Sequence, residues 1–152
     1  MHEHRVSIRW RRETESFDYP TYNRSHLWQF ESGVAVHASA APPFLGTPDR
    51  VDPEEAFVAA ISSCHMLTFL AICSRKRIRV DAYTDHAIGF MQENARGKLA
   101  VTRVDLAPRI RFGGNPPKVE TVRKIHHLSH EECFIANSVN TEIRVLDQGF
   151  SS

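Results

Sequence analysis

Of the side chains in this 152-residue chain able to do chemistry, three cysteines stand out by their settings: Cys64, Cys73 and Cys133. Cys64 lies in the middle of the longest low-polarity run, DPEEAFVAAISSCHMLTFLAIC, which extends from Asp52 to Cys73. Cys133 closes a histidine-rich stretch, HHLSHEECFIANS. A cysteine in such a place is either a small buried hydrophobe, the commoner fate, or a working thiol. Thiols react as thiolates, and an ordinary pKa of about 8.5 leaves only a small fraction ionised near neutrality. A working thiol inside an apolar helix therefore needs a cation beside it. Burial pushes its pKa up, and mid-helix is beyond the reach of the N-terminal dipole. A second chemistry is open at His126, His127, His130 and Cys133: His126 and His130, four residues apart, share a helical face, and a cysteine one turn on offers a third zinc ligand. The plainer reading there is a solvated helix end whose histidines suit the dipole. Cys73 is no partner for Cys64, because nine helical residues separate the two by about 13.5 Å and half a rotation.

The elements that must position these residues are legible from patterning. Asp52, Pro53, Glu54 and Glu55 form a helix start, with Asp52 as N-cap, Pro53 at the first position and Glu55 closing a capping box. From Phe57 the run is apolar or small on every side until Arg75, which predicts a helix buried all round. Upstream, Val6, Ile8 and Trp10 alternate with arginines as in a half-buried strand, and a hairpin is expected about Ser32-Gly33, from Leu27–Phe30 to Val34–Ala38. APPFLGTPDRV, residues 41–51, must be a loop. Downstream, one long strand is expected from Ile78 to Phe90, with a return strand over Leu99–Leu106. The three-residue step between Val101 and Val104 predicts a bulge in that return strand. Asn115 and Pro116 read as the cap and first residue of a second helix ending near Cys133, and Ile143 and Val145 as a closing strand. Strands, helix, strands, helix, strand is an α+β order, in a single domain spanning residues 1–152.

Composition narrows the function. With 19 basic against 18 acidic residues there is no charge excess to hold a nucleic acid, and Arg9, Arg11 and Arg12 read as a solvated strand face. The apolar helix is long enough to tempt a transmembrane reading, but Ser62, Ser63, Cys64 and His65 at its centre suit a protein core better, so no membrane partner is expected. MHEHRVSIRW has no apolar secretion core, and an odd number of cysteines fits reduced thiols, so a cytoplasmic protein is expected.

DPEEAFVAAISSCHM resembles the signature of the osmotically inducible protein C and organic hydroperoxide resistance (OsmC/Ohr) family, in which an Asn/Asp-Pro-Glu opening leads into a helix carrying a peroxidatic cysteine. HHLSHEECFIANSV is similar to that family's lead into a resolving cysteine, and the resemblance runs over roughly residues 5–147. It implies an OsmC-like α+β fold of antiparallel strands around a long central helix, assembled as an intertwined homodimer. It implies an organic hydroperoxide as substrate and a dithiol such as dihydrolipoamide as reductant, with no cofactor and no metal. Carried over by position, Cys64 is the peroxidatic thiol, Cys133 the resolving thiol, Glu54 the acidic partner and Arg24 the arginine, with Arg12 and Arg50 as alternatives for the last. Phe57, Phe69, Phe44 and Met66 would then favour an organic peroxide. The chain departs from the family pattern after Cys133, where Phe134, Ile135 and Ala136 replace the usual Pro and Val-Ser while Asn137 is kept. That departure keeps a second reading open: a divergent member that binds a small apolar or thiol ligand at the subunit interface without turnover.

Overall fold

The computed structural model describes residues 1–147, which gather into two compact units divided inside the first turn of the long helix, at residues 56 and 57. In the first unit β1 (Val6–Arg9), β2 (His26–Phe30) and β3 (Ala35–Ala38) form an antiparallel meander in that order. The expected hairpin is present: Trp28 faces Val36, and Gly33, at φ 89°, supplies the left-handed residue that the turn requires. Residues 41–51 are the expected loop, with one 3-10 turn at Pro42–Phe44. Gly46 is obligatory within it, since a Cβ there would lie 1.5 Å from the Ala40 carbonyl oxygen. The loop ends by pairing Val51 with Ala38, and this delivers Asp52 to the helix start. The half-buried reading of β1 does not hold within the chain, where Val6 and Ile8 are 52% and 58% exposed.

Helix α1 (Pro53–Arg75) opens with the expected reciprocal cap: Glu55 N–H donates to Asp52 Oδ1 at 2.8 Å, and Asp52 N–H to Glu55 Oε2 at 3.2 Å. Its length and composition would suffice to cross a membrane, yet one stripe, Ile61, His65, Phe69 and Cys73, is fully committed to the interior. Burial all round is not what the helix shows. Ala59, Ala60, Ser63, Leu67 and Ala71 are exposed on another face. An apolar helix has no polar side to turn outward, so the pattern alone cannot say which face its own chain leaves bare.

Beyond α1, the expected long strand proves to be two, β4 (Val80–Asp85) and β5 (Ile88–Glu93), broken at His86-Ala87. They pair differently, β4 with β7 (Pro108–Phe112) and β5 with β6 (Leu99–Leu106). Asp85 fixes the break, because its carboxylate accepts from the Ala107 N–H at 2.7 Å and from the Ser62 hydroxyl of α1. The bulge foreseen between Val101 and Val104 is present: Phe90 faces Arg103 and Met91 faces Val101, which leaves Thr102 as the extra residue. Helix α2 (Val119–Glu132) starts later than expected, with Lys118 rather than Asn115 as its cap. Pro117 disfavours helical geometry at Pro116, so the helix waits until both prolines are passed. Strand β8 (Glu142–Val145) lies parallel to β6, whereas the other strand-to-strand ladders among the described residues are antiparallel. Two apolar clusters fill this unit: Phe69, Cys73, Val122 and Ile125 join the helices, and Ile61, Val104 and Leu106 seat α1 on β6.

Candidate active site

The second unit brings two of the predicted thiols together. Cys64, half-buried, sits at the edge of the interior stripe of α1, and Cys133 is the buried C-cap residue of α2. Their side chains are within hydrogen-bonding contact, and all three cysteines are free thiols. Cys133 stands where the helix stops, so its position depends on how α2 is ended. Asn137 does this by donating its side-chain amide to the carbonyls of Glu131 at 2.8 Å and Cys133 at 3.0 Å. The retained asparagine thus has a structural reason, and the Phe134, Ile135 and Ala136 that precede it form the turn over which that cap reaches. The Ala136 N–H approaches Cys133 Sγ at 3.4 Å.

Burial pushes the Cys133 thiol above its ordinary pKa, and its hydrogen bond to Cys64 pushes the same way, against the opposing N–H groups of Ala136 and Ile135. Cys133 is therefore harder to ionise than an ordinary cysteine. Cys73 is a different case: it packs among Phe69, Val122 and Ile125, and burial alone pushes its thiol up to about 11. It behaves as a core residue.

Beside the thiols lies a pair that sequence reasoning missed. His65, the residue after Cys64, places Nε2 3.0 Å from Nδ1 of His126 on α2, with the rings nearly parallel at 9° and 5.3 Å between centroids. His126 in turn stacks on Phe69, at 4.4 Å. The rings are only 1% and 4% exposed, and burial lowers both pKa values to about 4, so the pair is neutral near pH 7. The available signal was a lone histidine inside an apolar helix. Nothing local could say that its partner lay 61 residues away. Phe69, expected beside the peroxide site, is instead taken up by this interior stack, and Phe44 sits 38% exposed in the loop of the first unit.

The first unit holds the other predicted residues. Arg24, just before β2, donates to the carbonyls of Tyr22 at 2.8 Å and Tyr19 at 2.5 Å, and its guanidinium lies 3.9 Å over the Tyr22 ring. Glu54 is half-buried in the first turn of α1, and among the described residues no ion pair joins it to Arg24. A cavity of about 440 Å³ opens beside Arg24, walled by Ile8, Trp10, Phe17 and Tyr22. Of the alternative arginines, Arg12 is exposed and donates to the carbonyls of Thr14 and Glu15, while Arg50 approaches His37 Nδ1 at 3.4 Å. Among the described residues no group of three or more His, Cys, Asp or Glu is arranged to hold a metal ion. His126 is turned to His65, and His127 pairs with Glu131 at the surface.

The model of the OsmC-like protein family matches residues 46–146. An OsmC-like protein of unknown function from Vibrio cholerae is 46% identical, with 96% of this chain and 99% of that one covered at a TM-score of 0.92. Organic hydroperoxide resistance proteins from Elizabethkingia anophelis and Legionella pneumophila share the fold at 16% and 13% identity, with TM-scores of 0.72 and 0.71. The first covers 95% of this chain and 94% of its own, the second 95% and 96%. No curated protein matches the chain.

Proposed function

Because this chain belongs to the OsmC-like family, we propose that it is a cysteine-based peroxidase that reduces organic hydroperoxides to alcohols, with Cys64 attacking and Cys133 resolving. The observation that carries the reading is the contact between these two thiols, one half-buried and the other buried at the end of α2. The Cys64 thiolate attacks the outer peroxide oxygen, the O–O bond breaks, and the alkoxide takes a proton and leaves as an alcohol. Cys64 is then a sulfenic acid. Cys133 loses its proton and attacks that sulfur; the S–S bond forms as the S–O bond breaks, and the oxygen leaves as water. A dithiol, for which dihydrolipoamide is our candidate, returns two electrons and two protons to the disulfide. Arg24 is assigned to favour the thiolate and orient the peroxide, and Glu54 to hold the guanidinium once substrate draws it from the Tyr19 and Tyr22 carbonyls. The reaction belongs in the cytoplasm, where such dithiols are kept reduced.

The working unit in this proposal is a homodimer. Leu67 is 60% exposed on a face of α1 otherwise made of alanines and Ser63, and the apolar residues of β1 are also uncovered. Glu54 and Cys64 lie about 15 Å apart along one helix, so an antiparallel pair of α1 helices would bring Glu54 of one copy toward Cys64 of the other. A second reading, a divergent member that binds an apolar or thiol ligand without turnover, draws on Phe134, which is 82% exposed where the family pattern has proline.

Consumption of cumene hydroperoxide with dihydrolipoamide as electron donor tests the proposal. Wild type should turn over steadily, Cys64→Ser should fall to background, and Cys133→Ser should complete one turnover before Cys64 over-oxidises. Turnover retained in Cys64→Ser would overturn the assignment. Ligand binding without wild-type turnover would select the second reading.

A further inference from the structure

We propose that the buried His65–His126 hydrogen bond is a positioning device for disulfide closure, holding the turn of α1 that carries Cys64 against the helix that ends in Cys133. The inference rests on the thiol-pair reading above and concerns what makes the pair close quickly. His65 adjoins Cys64, and His126 precedes Cys133 by seven residues, two turns of α2, so both lie on nearly the same face of that helix. The bond therefore joins the two thiol-bearing helices beside the thiols. Apolar contact between Phe69, Val122 and Ile125 also joins them, but apolar packing has no preferred direction and tolerates sliding. A ring-to-ring hydrogen bond does not: one nitrogen must donate and the other accept, at 3.0 Å and with the rings 9° from parallel. Both rings are buried and uncharged near neutrality, so breaking the bond would leave polar atoms without water to replace it.

The step that depends on this is the attack of the Cys133 thiolate on the Cys64 sulfenic sulfur, in which S–S forms, S–O breaks and water leaves. Both histidines are positioning residues, since each acts through the other on the helices that carry the thiols. Sliding of one helix by an ångström would hardly affect the meeting of Cys64 with a small diffusing peroxide. It would, however, misalign two sulfurs fixed to different helices.

The double variant His65→Leu/His126→Leu removes the directional bond while leaving neither histidine orphaned. His65→Gln and His126→Asn each place an amide near the nitrogen they replace. Single turnover with cumene hydroperoxide, quenched and read by intact mass, gives the rate of Cys64 oxidation and the rate of closure separately. Closure driven by diamide, which accepts two electrons from a thiol pair, reads the same alignment without peroxide. The double variant should oxidise Cys64 within about twofold of wild type yet close about tenfold more slowly by either route, with sulfinic acid accumulating under peroxide. The amide variants should recover most of the closure rate. Wild-type closure in the double variant, or equal slowing of both steps with a lowered melting temperature, would overturn the positioning role. Slow diamide closure in the variants alongside a wild type unreactive to hydroperoxide would sustain that role and reject the peroxidase.

Discussion

The two faces of α1 have similar hydropathy and different fates. The stripe of Ile61, His65, Phe69 and Cys73 is buried against α2 and the strands, whereas Ala59, Ala60, Ser63, Leu67 and Ala71 remain open. The buried stripe carries large side chains and a polar one that finds a partner. Apart from Leu67, the open face carries small ones, which let another helix approach closely. Cys64 sits between the two, in contact with Cys133 and still half-accessible. The reaction proposed for Cys64 needs both conditions, a rigid neighbour on one side and a route for substrate on the other. The two faces thus divide the labour of one helix.

Four changes would break or sharpen that comparison. The largest effect is expected on the open face: Leu67→Glu should abolish the homodimer proposed above in sedimentation analysis, by placing a charge where its two apolar helices would meet. A dimer that survives the substitution would move the proposed interface to another surface, and a monomeric wild type would overturn it. On the buried face, Phe69→Ala should cost about 3–5 kcal/mol in urea unfolding, since it removes a fully buried ring shared by Tyr83 and His126.

Acidification probes the same face without mutation. His65 and His126 protonate in the unfolded chain near 6.5 but are lowered to about 4 in the fold, chiefly by burial. The unfolded chain therefore binds more protons between those values. Stability should fall as pH drops from about 6.5 toward about 4, by on the order of 1 kcal/mol per pH unit for each proton the pair takes up on unfolding. His130 and Asp85 face His65, and Asp147 faces His126, the carboxylates opposing the shift. Urea midpoints at pH 7, 6 and 5 should show this slope in wild type and lose it in His65→Leu/His126→Leu. The smallest effect is kinetic: Arg24→Ala should slow iodoacetamide alkylation of Cys64 a few-fold at pH 7, with the deficit shrinking at alkaline pH as the thiol ionises unaided. An unchanged profile would move the role to Arg12 or Arg50.

Much of this was legible because it depends on neighbours in the chain. The Asp52–Glu55 cap, the hairpin at Gly33, the bulge at Thr102 and the end of α2 at Cys133 each follow from a few consecutive residues. The resemblance to a family came from two such local motifs, and the family match over residues 46–146 agrees with it. The start of α2 was misjudged for a local reason, the second of two consecutive prolines. Strand pairing was not local. Residues 78–90 read as one strand because alternation continues across His86-Ala87, while the carboxylate of Asp85, held by Ser62 and Ala107, turns the chain between two ladders.

By itself, then, the sequence determined that two thiols would sit on two helices, one within an apolar run and one at a helix end, because capping, turn chemistry and hydrophobic period act over a few residues. Only the tertiary structure decided that these thiols touch, that His65 finds His126 across 61 residues, and that one face of α1 stays open. The reason is physical: an apolar helix offers nearly the same burial free energy on every side. Its orientation is settled by shape and by the rare directional bonds that other segments bring to it.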